Sequence, residues 1–447
     1  MKQLLPVILA AFCAFSALAN QTLINLPVDS WYTVPNTKMR PSCDPHSGSY
    51  GCAAVQSAWS GGAYDADQQK MMIWGGGHVD SDDNAVYAFS TQDWRWEQLT
   101  PNTGYLTPQS GVDPLPSGDP ASRHTYNGLA YAGHIKRMWA CQGSVAGNGN
   151  GTGVVWTFDA VQKKWYNMKA TGTAAGSYFG YNGGCSYDPV SRKAFFSDPR
   201  YVYIYSFDSN AWTSVGWAKE DWGKKAGVYD PKRRLIFFFG NRINVWDIQN
   251  NREITTGWST SDSATLLNGN FTAFDYDAKA DQIVAWNGGG PYELDMTTKQ
   301  WVRKSGAGAP PAPLPNGTYG RWRYLPDDNV FVLVNGVDSN VCFYKHTAGG
   351  GTATEKRDAS FAERPFAVSP NPFHSGAVIK LDAAFPGSKA RLRVFTSEGR
   401  LVCSGDFTGA ALRQGVRLPG KGLSSGVYLF CLDFGTEVLK ARAFFLQ

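Results

Sequence analysis

The chain has 447 residues, a formal net charge of +5, only 18% charged residues and 14% aromatics, including 16 Trp. Lys and Arg never cluster into a long run, which excludes a basic nucleic-acid arm, and charge of both signs is spread evenly. With 49 Gly beside so many aromatics, the composition favours short strands and tight turns, and no amphipathic helix is evident.

Residues 1–19 read as an export signal. Lys2 supplies the positive start, Leu4 to Leu18 is apolar apart from Pro6 and Ser16, and Ala17-Leu18-Ala19 offers small residues for cleavage. No later stretch approaches the ~20 apolar residues of a membrane span. The mature chain is therefore expected to be exported, soluble and monomeric. Cys13 leaves with the signal. In an oxidising compartment the remaining cysteines are candidates for disulfides. Cys43 and Cys52 flank a short loop and are the first-choice pair. Cys141 with Cys185, and Cys403 with Cys431, come next and leave Cys342 free.

Six units repeat between residues 30 and 346. Each runs through a small-residue strand, a Tyr-Asp type turn, an apolar strand, a strand of alternating aromatics and a Trp-bearing strand. The first has Trp59, Tyr64-Asp65, Met71 to Gly77, Ala85 to Phe89 and Trp96. The second has Tyr126, Tyr131, Arg137 to Gly143, Val154 to Phe158 and Trp165. The third has Tyr187-Asp188, Ala194 to Ser197, Val202 to Tyr205 and Trp212. The fourth has Tyr229-Asp230, Leu235 to Gly240, Ile243 to Trp246 and Trp258. The fifth has Tyr276-Asp277, Ile283 to Gly288, Tyr292 to Leu294 and Trp301. The sixth has Arg323-Tyr324, Val330 to Gly336 and Val341 to Tyr344, and lacks its Trp strand. Ser30 to Val34 carries that missing signature, so an N-terminal strand is expected to complete the last unit.

A spacing of roughly 40 to 65 residues suits a four-stranded blade. In its glycine pairs and Tyr-to-Trp spacing the segment resembles the kelch and galactose-oxidase-central-domain β-propellers. The resemblance implies an all-β fold of six blades, with residues 37–56 or 101–122 leaving room for a seventh. Residues 20–346 would be the propeller and 347–364, rich in Gly, Thr and Ala, a linker.

Residues 365–447 form a second β-domain, expected as a small sandwich. Pro370-Asn371-Pro372, Glu398-Gly399-Arg400 and Ser425-Gly426-Val427-Tyr428 stand in an order that resembles the type A sorting domain of type IX secretion cargo. That resemblance implies the type IX secretion machinery as a partner, export across an outer membrane, and release at or attachment to the cell surface.

A propeller brings the loops that leave second strands and those that enter first strands to one face. His78, Arg200 and Arg242 leave second strands. Arg123, His124, Tyr126, Tyr178, Tyr181, Trp222, Lys224, Lys225, Arg321 and Arg323 enter first strands, and His46 precedes the first unit. Asp80, Asp198 and Asp221 are the acids nearby. Aromatic rings stack on sugars and Arg pairs with carboxylates, so this face suits an acidic polysaccharide. The inventory fits β-elimination on a uronate, which needs a carboxylate neutraliser, a base and an acid. Arg200 or Arg242 would neutralise, His78 or His124 would be the base, and Tyr181 the acid. Arg123, Tyr126, Trp222, Arg242, Arg321 and Arg323 would bind substrate. The palette is similar to that of propeller polysaccharide lyases in fold and residue type, although spacing does not carry their catalytic positions over.

Three rivals stand beside this reading. A non-catalytic glycan-binding propeller would show the same repeats. A glycoside hydrolase wants two carboxylates, and this face is acid-poor. A copper radical oxidase would need a Tyr and His set that the late units lack. No cofactor is expected. Calcium at Asp80-Ser81-Asp82-Asp83-Asn84 is a weaker reading than a solvated loop, and zinc at Cys43, His46 and Cys52 a weaker one than a disulfide. His134, His346 and His374 are set aside as structural.

Overall fold

The computed structural model describes residues 22–46, 51–106, 111–172, 183–223, 225–255, 257–258, 272–348, 366–369, 373–381, 389–396, 401–420, 423–434 and 438–445. The signal segment, Tyr178, Tyr181, Lys224, the Pro-Asn-Pro element and the Glu-Gly-Arg turn lie outside these residues. The chain divides into two compact units, Met1–Thr352 and Ala353–Gln447. Both are built largely from antiparallel sheets. The helices Ala54–Ser57 and Gly409–Gln414 are short, at four and six residues.

Among the described residues the first unit contains six sheets of four or five strands, antiparallel apart from Thr171–Gly172 beside Ala211–Gly216, and a two-stranded sheet of Arg123–His124 with Ser144–Val145. The first sheet runs Gly61–Asp65, Lys70–Trp74, Tyr87–Ser90 and Arg95–Gln98. The second to fifth sheets begin with Leu129–Ala132, Gly184–Asp188, Ala226–Asp230 and Ala273–Asp277. In the sixth, Trp322–Leu325, Val330–Leu333 and Cys342–Lys345 are completed by Ser30–Thr33, with Ser30 opposite Lys345 and Thr33 opposite Cys342. First strands touch in the order first, second, third, fourth, fifth, sixth, and the sixth touches the first again.

One turn recurs and explains the Tyr-Asp repeat. Asp65 accepts a hydrogen bond from the Gln68 amide at 2.9 Å, and Asp188, Asp230 and Asp277 accept two amides each from the turns that follow them. Four residues after each Asp the backbone takes a left-handed conformation, at Gln69, Arg192, Arg234 and Asp281. The carboxylate satisfies amides that no strand can reach, and so fixes the register of the hairpin.

The Trp residues fill the space between sheets. Trp165 meets Trp74 at 4.6 Å, Trp212 meets Trp139 at 5.9 Å, and Trp31 meets Trp286 at 6.1 Å. Trp258 departs from the expected pattern. The fourth sheet closes with Arg252–Glu253, and Trp258 returns from the following segment to pack on Phe237 at 4.8 Å. A short turn moves the pairing upstream while the apolar slot still demands a large ring.

Cys43 and Cys52 are disulfide-bonded. Cys141 and Cys185 are free thiols in one apolar cluster. Burial pushes the Cys141 thiol well above its usual pKa, and the neighbouring Cys185 thiol raises it further. Cys403 and Cys431 are also free. They oppose Val394 and Arg393 from either side of one strand, which puts them two strands, or roughly 10 Å, apart. A disulfide spans at most about 7 Å between Cα atoms.

In the second unit Phe366–Ser369, Gly376–Leu381 and Val416–Pro419 form one sheet. Lys389–Thr396, Leu401–Thr408, Gly426–Asp433 and Val438–Phe445 form another. Phe373, Ile379, Leu392, Leu412 and Phe430 pack in one core. No helix among the described residues is long and apolar enough to cross a membrane.

Candidate functional site

The segment leaving the second strand of the first sheet runs against the segment entering the second sheet. Hydrogen bonds stitch the two together: the Gly77 amide donates to Ser122 Oγ at 2.8 Å, and Thr125 Oγ1 donates to the Trp74 carbonyl at 3.0 Å. Gly77 has φ +33°, and a Cβ there would fall 2.1 Å from the Arg123 Cα. Only glycine allows this approach, which sets His78 beside His124. On the far side the Gly147 amide donates to the His78 carbonyl at 2.7 Å. Gly149, at φ +71°, lies so close that a Cβ would come within 2.4 Å of the His78 ring. His78 itself takes a left-handed backbone at φ 49°, a conformation that His adopts more readily than most residues with a Cβ.

The outcome is a group of three. His124 Nε2 and Asp80 Oδ2 share a hydrogen bond of 2.7 Å, and the His78 ring lies edge-on to His124 at 5.6 Å. Trp59 covers the opposite side of His124 at 4.8 Å. The His124 side chain is 4% exposed and the Asp80 side chain 37%. A molecule arriving from solvent therefore meets Asp80 and half-buried His78 before His124. Burial lowers the pKa of His124, with His78 adding to the effect and Asp80 opposing it. The imidazole is held neutral.

Most of the arginines expected to bind substrate are structural struts. Arg123 is fully buried, donates from Nη2 to Asp113 Oδ2 at 2.7 Å, and lies over the Trp74 ring. Arg321 is buried as well and donates to the carbonyls of Ser60, Val334 and Gly317. Arg323 donates to the Gly62 and Leu129 carbonyls at 3.2 and 3.3 Å and pairs loosely with Asp275. It thereby ties together the first strands of four sheets. Tyr126 is buried too, packed edge-on between His124 and Tyr319. In each case a loop carbonyl, carboxylate or ring occupies the surface a ligand would need.

A second group sits where the third sheet meets the fourth. Lys225 and Asp221 form a fully buried ion pair at 2.9 Å. Asp221 also accepts the amides of Gly223, Asn241 and Arg242. Asp198 accepts the amides of Arg200 and Tyr201 and the Tyr203 hydroxyl. These acids are consumed by their own loops. Arg200 and Arg242 are half-buried, and Trp222 is 60% exposed.

Asp80 and Asp83, both in the 80–84 segment weighed for calcium, are drawn to different partners. Asp80 turns to His124, while Asp83 accepts the Tyr87 hydroxyl at 2.8 Å and the Ala85 amide. The zinc reading at Cys43 and Cys52 fails because the disulfide consumes both thiols. His46 instead stacks on exposed Tyr105, with centroids 4.4 Å apart and planes 9° apart. Residues beside Tyr105 bond into the 80–84 loop, since the Thr103 and Gly104 amides both donate to Asn84 Oδ1. Asp113 and Tyr105 are not singled out in the sequence analysis, which reads Trp59 only as part of the first repeat. Trp59 stands just before a first strand as His124 does, and that position was the available signal.

No protein-family model matches the chain, and no curated protein matches it. Among solved structures it is similar to the extracellular domain of a hybrid two-component system protein from Bacteroides thetaiotaomicron, at 8% identity and a TM-score of 0.37, covering 87% of this chain and 57% of that one. It is also similar to an auxiliary nutrient-binding protein from Bacteroides thetaiotaomicron VPI-5482, at 9% identity and a TM-score of 0.42, covering 63% and 68%. The chain thus spans little more than half the length of the first of these.

Proposed function

We propose that residues 20–346 are an exported six-bladed propeller that cleaves an acidic polysaccharide by β-elimination, and that residues 365–447 are its secretion-sorting domain. The closed order of first-strand contacts and the N-terminal strand in the sixth sheet support the propeller reading. The His78, Asp80 and His124 group carries the functional reading, because two imidazoles and a carboxylate meet there. In this scheme His78, the more accessible imidazole, takes the C5 proton of a uronate. The electron pair left behind forms the C4–C5 double bond, and the departing O4 accepts a proton from Tyr181. Arg200 or Arg242 neutralises the carboxylate that activates C5. His124 acts through Asp80 and fixes its orientation.

The test is incubation of the mature chain with a panel of uronate polysaccharides, following the ultraviolet absorbance of the unsaturated product. The reading expects a rise that His78→Ala abolishes and His134→Ala leaves intact. Retention of a glycan with neither a rise nor new reducing ends would replace it with a binding propeller, which the exposed Tyr105 and Trp222 rings favour. Type IX sorting is tested separately, by whether a chain ending at residue 346 stays in the periplasm of a secreting host.

A further inference from the structure

We propose that His78, Asp80 and His124 bind one divalent transition-metal ion of the zinc type. Each residue offers one donor atom, and these atoms all lie within 4.8 Å of one another. An ion with bonds of about 2.0–2.2 Å would draw them together by side-chain shifts of about 1 Å or less. Among the described residues these are the one set of three His, Cys, Asp or Glu side chains so placed.

The donor set selects the class of ion. Two imidazole nitrogens and one carboxylate suit zinc, cobalt or nickel, whereas calcium and magnesium prefer all-oxygen shells. The neighbouring acids do not change this balance, because Asp83 is committed to Tyr87 and Ala85. The His78 imidazole makes no hydrogen bond among the described residues, so a ring nitrogen is uncommitted. His124 already points Nε2 at Asp80 Oδ2, and the proton between them is the one an ion would replace. The loops are built to hold this arrangement, since Gly77 and Gly149 are sites where any Cβ would displace one of the two histidine segments. Three protein ligands leave a tetrahedral position for water or a ligand oxygen. The proposal does not rest on the elimination reading and competes with it for His78, since an imidazole bound to the ion cannot also take the C5 proton.

The test uses the untagged mature chain, stripped with a chelator and titrated with ZnCl2 by calorimetry, with Co2+ absorption as a second readout of nitrogen and oxygen ligation. One equivalent should bind. His78→Ala and Asp80→Asn, both at partly exposed positions where folding tolerates change, should each weaken binding by about 10–100-fold or more. Circular dichroism would verify that both variants fold. His134→Ala, whose imidazole bonds the Tyr187 hydroxyl elsewhere, should bind as the parent does. No saturable Zn2+ binding, or full binding by folded His78→Ala, overturns the proposal. Zinc binding without product from any uronate polysaccharide would sink the elimination reading and leave the metal site standing.

Discussion

His124 and His346 are both buried, and each meets a carboxylate oxygen at under 3 Å, yet their pKa values move in opposite directions. His124 faces one carboxylate, that of partly exposed Asp80, and a second imidazole. Burial wins and the ring stays neutral. His346 gives Nδ1 to Asp277 and Nε2 to Glu293, each at 2.8 Å. Burial works against its charge too, but two carboxylates, one of them fully buried, outweigh it. A ring bonded through both nitrogens to carboxylates is an imidazolium. His346 is therefore a staple between the end of the sixth sheet and the fifth, while His124 belongs to the candidate site. The number of carboxylates facing each imidazole makes the difference.

The strongest way to break this comparison is to remove each histidine. His346→Ala takes the ring away from buried Asp277 and from part-buried Glu293, which keeps Lys304 at 3.2 Å, and should cost about 3 kcal/mol in urea unfolding. A loss below about 1 kcal/mol would show that the cluster is not ionic. His124→Ala should cost about 1–2 kcal/mol, since Asp80 can turn to water. If the two losses proved equal, the contrast would collapse.

The pH dependence sharpens the point. The His346 contribution is fully present below its unfolded value of about 6.5 and is lost as pH rises through its raised folded value. The preference of His124 for neutrality is present above about 6.5 and is lost as pH falls toward its lowered folded value. Relative to the parent, His346→Gln should therefore look least harmful at alkaline pH and His124→Gln least harmful at acid pH. Unfolding series between these limits that ran parallel would contradict both assignments. The smallest effect belongs to exposed Trp222. Trp222→Ala should shift stability by no more than about 0.5 kcal/mol while weakening glycan retention on an affinity gel.

Much of the scaffold was legible. The Tyr-Asp pairs marked hairpins because an Asp at that position must satisfy turn amides wherever the turn lies, and Ser30 to Val34 matched the missing strand of the last unit. The site was harder to read. Arg123, Arg200, Arg242, Arg321 and Arg323 look alike as cations near strand ends. What separates them is whether a carbonyl or carboxylate brought close by the fold reaches the guanidinium first. Ser60, Gly317 and Val334 do so for Arg321, from up to 261 residues away in sequence. The partners of His346, Asp277 and Glu293, likewise lie 69 and 53 residues upstream.

By itself, then, the sequence determined the strand repeat, the sheet that the N-terminal segment completes and the Cys43–Cys52 pair, because each follows from local pattern or short spacing. Tertiary structure alone decided which cations are struts, which thiols stay apart and which histidine is charged. Those outcomes depend on the sum of burial and partners brought from distant sheets, and no local pattern carries that sum.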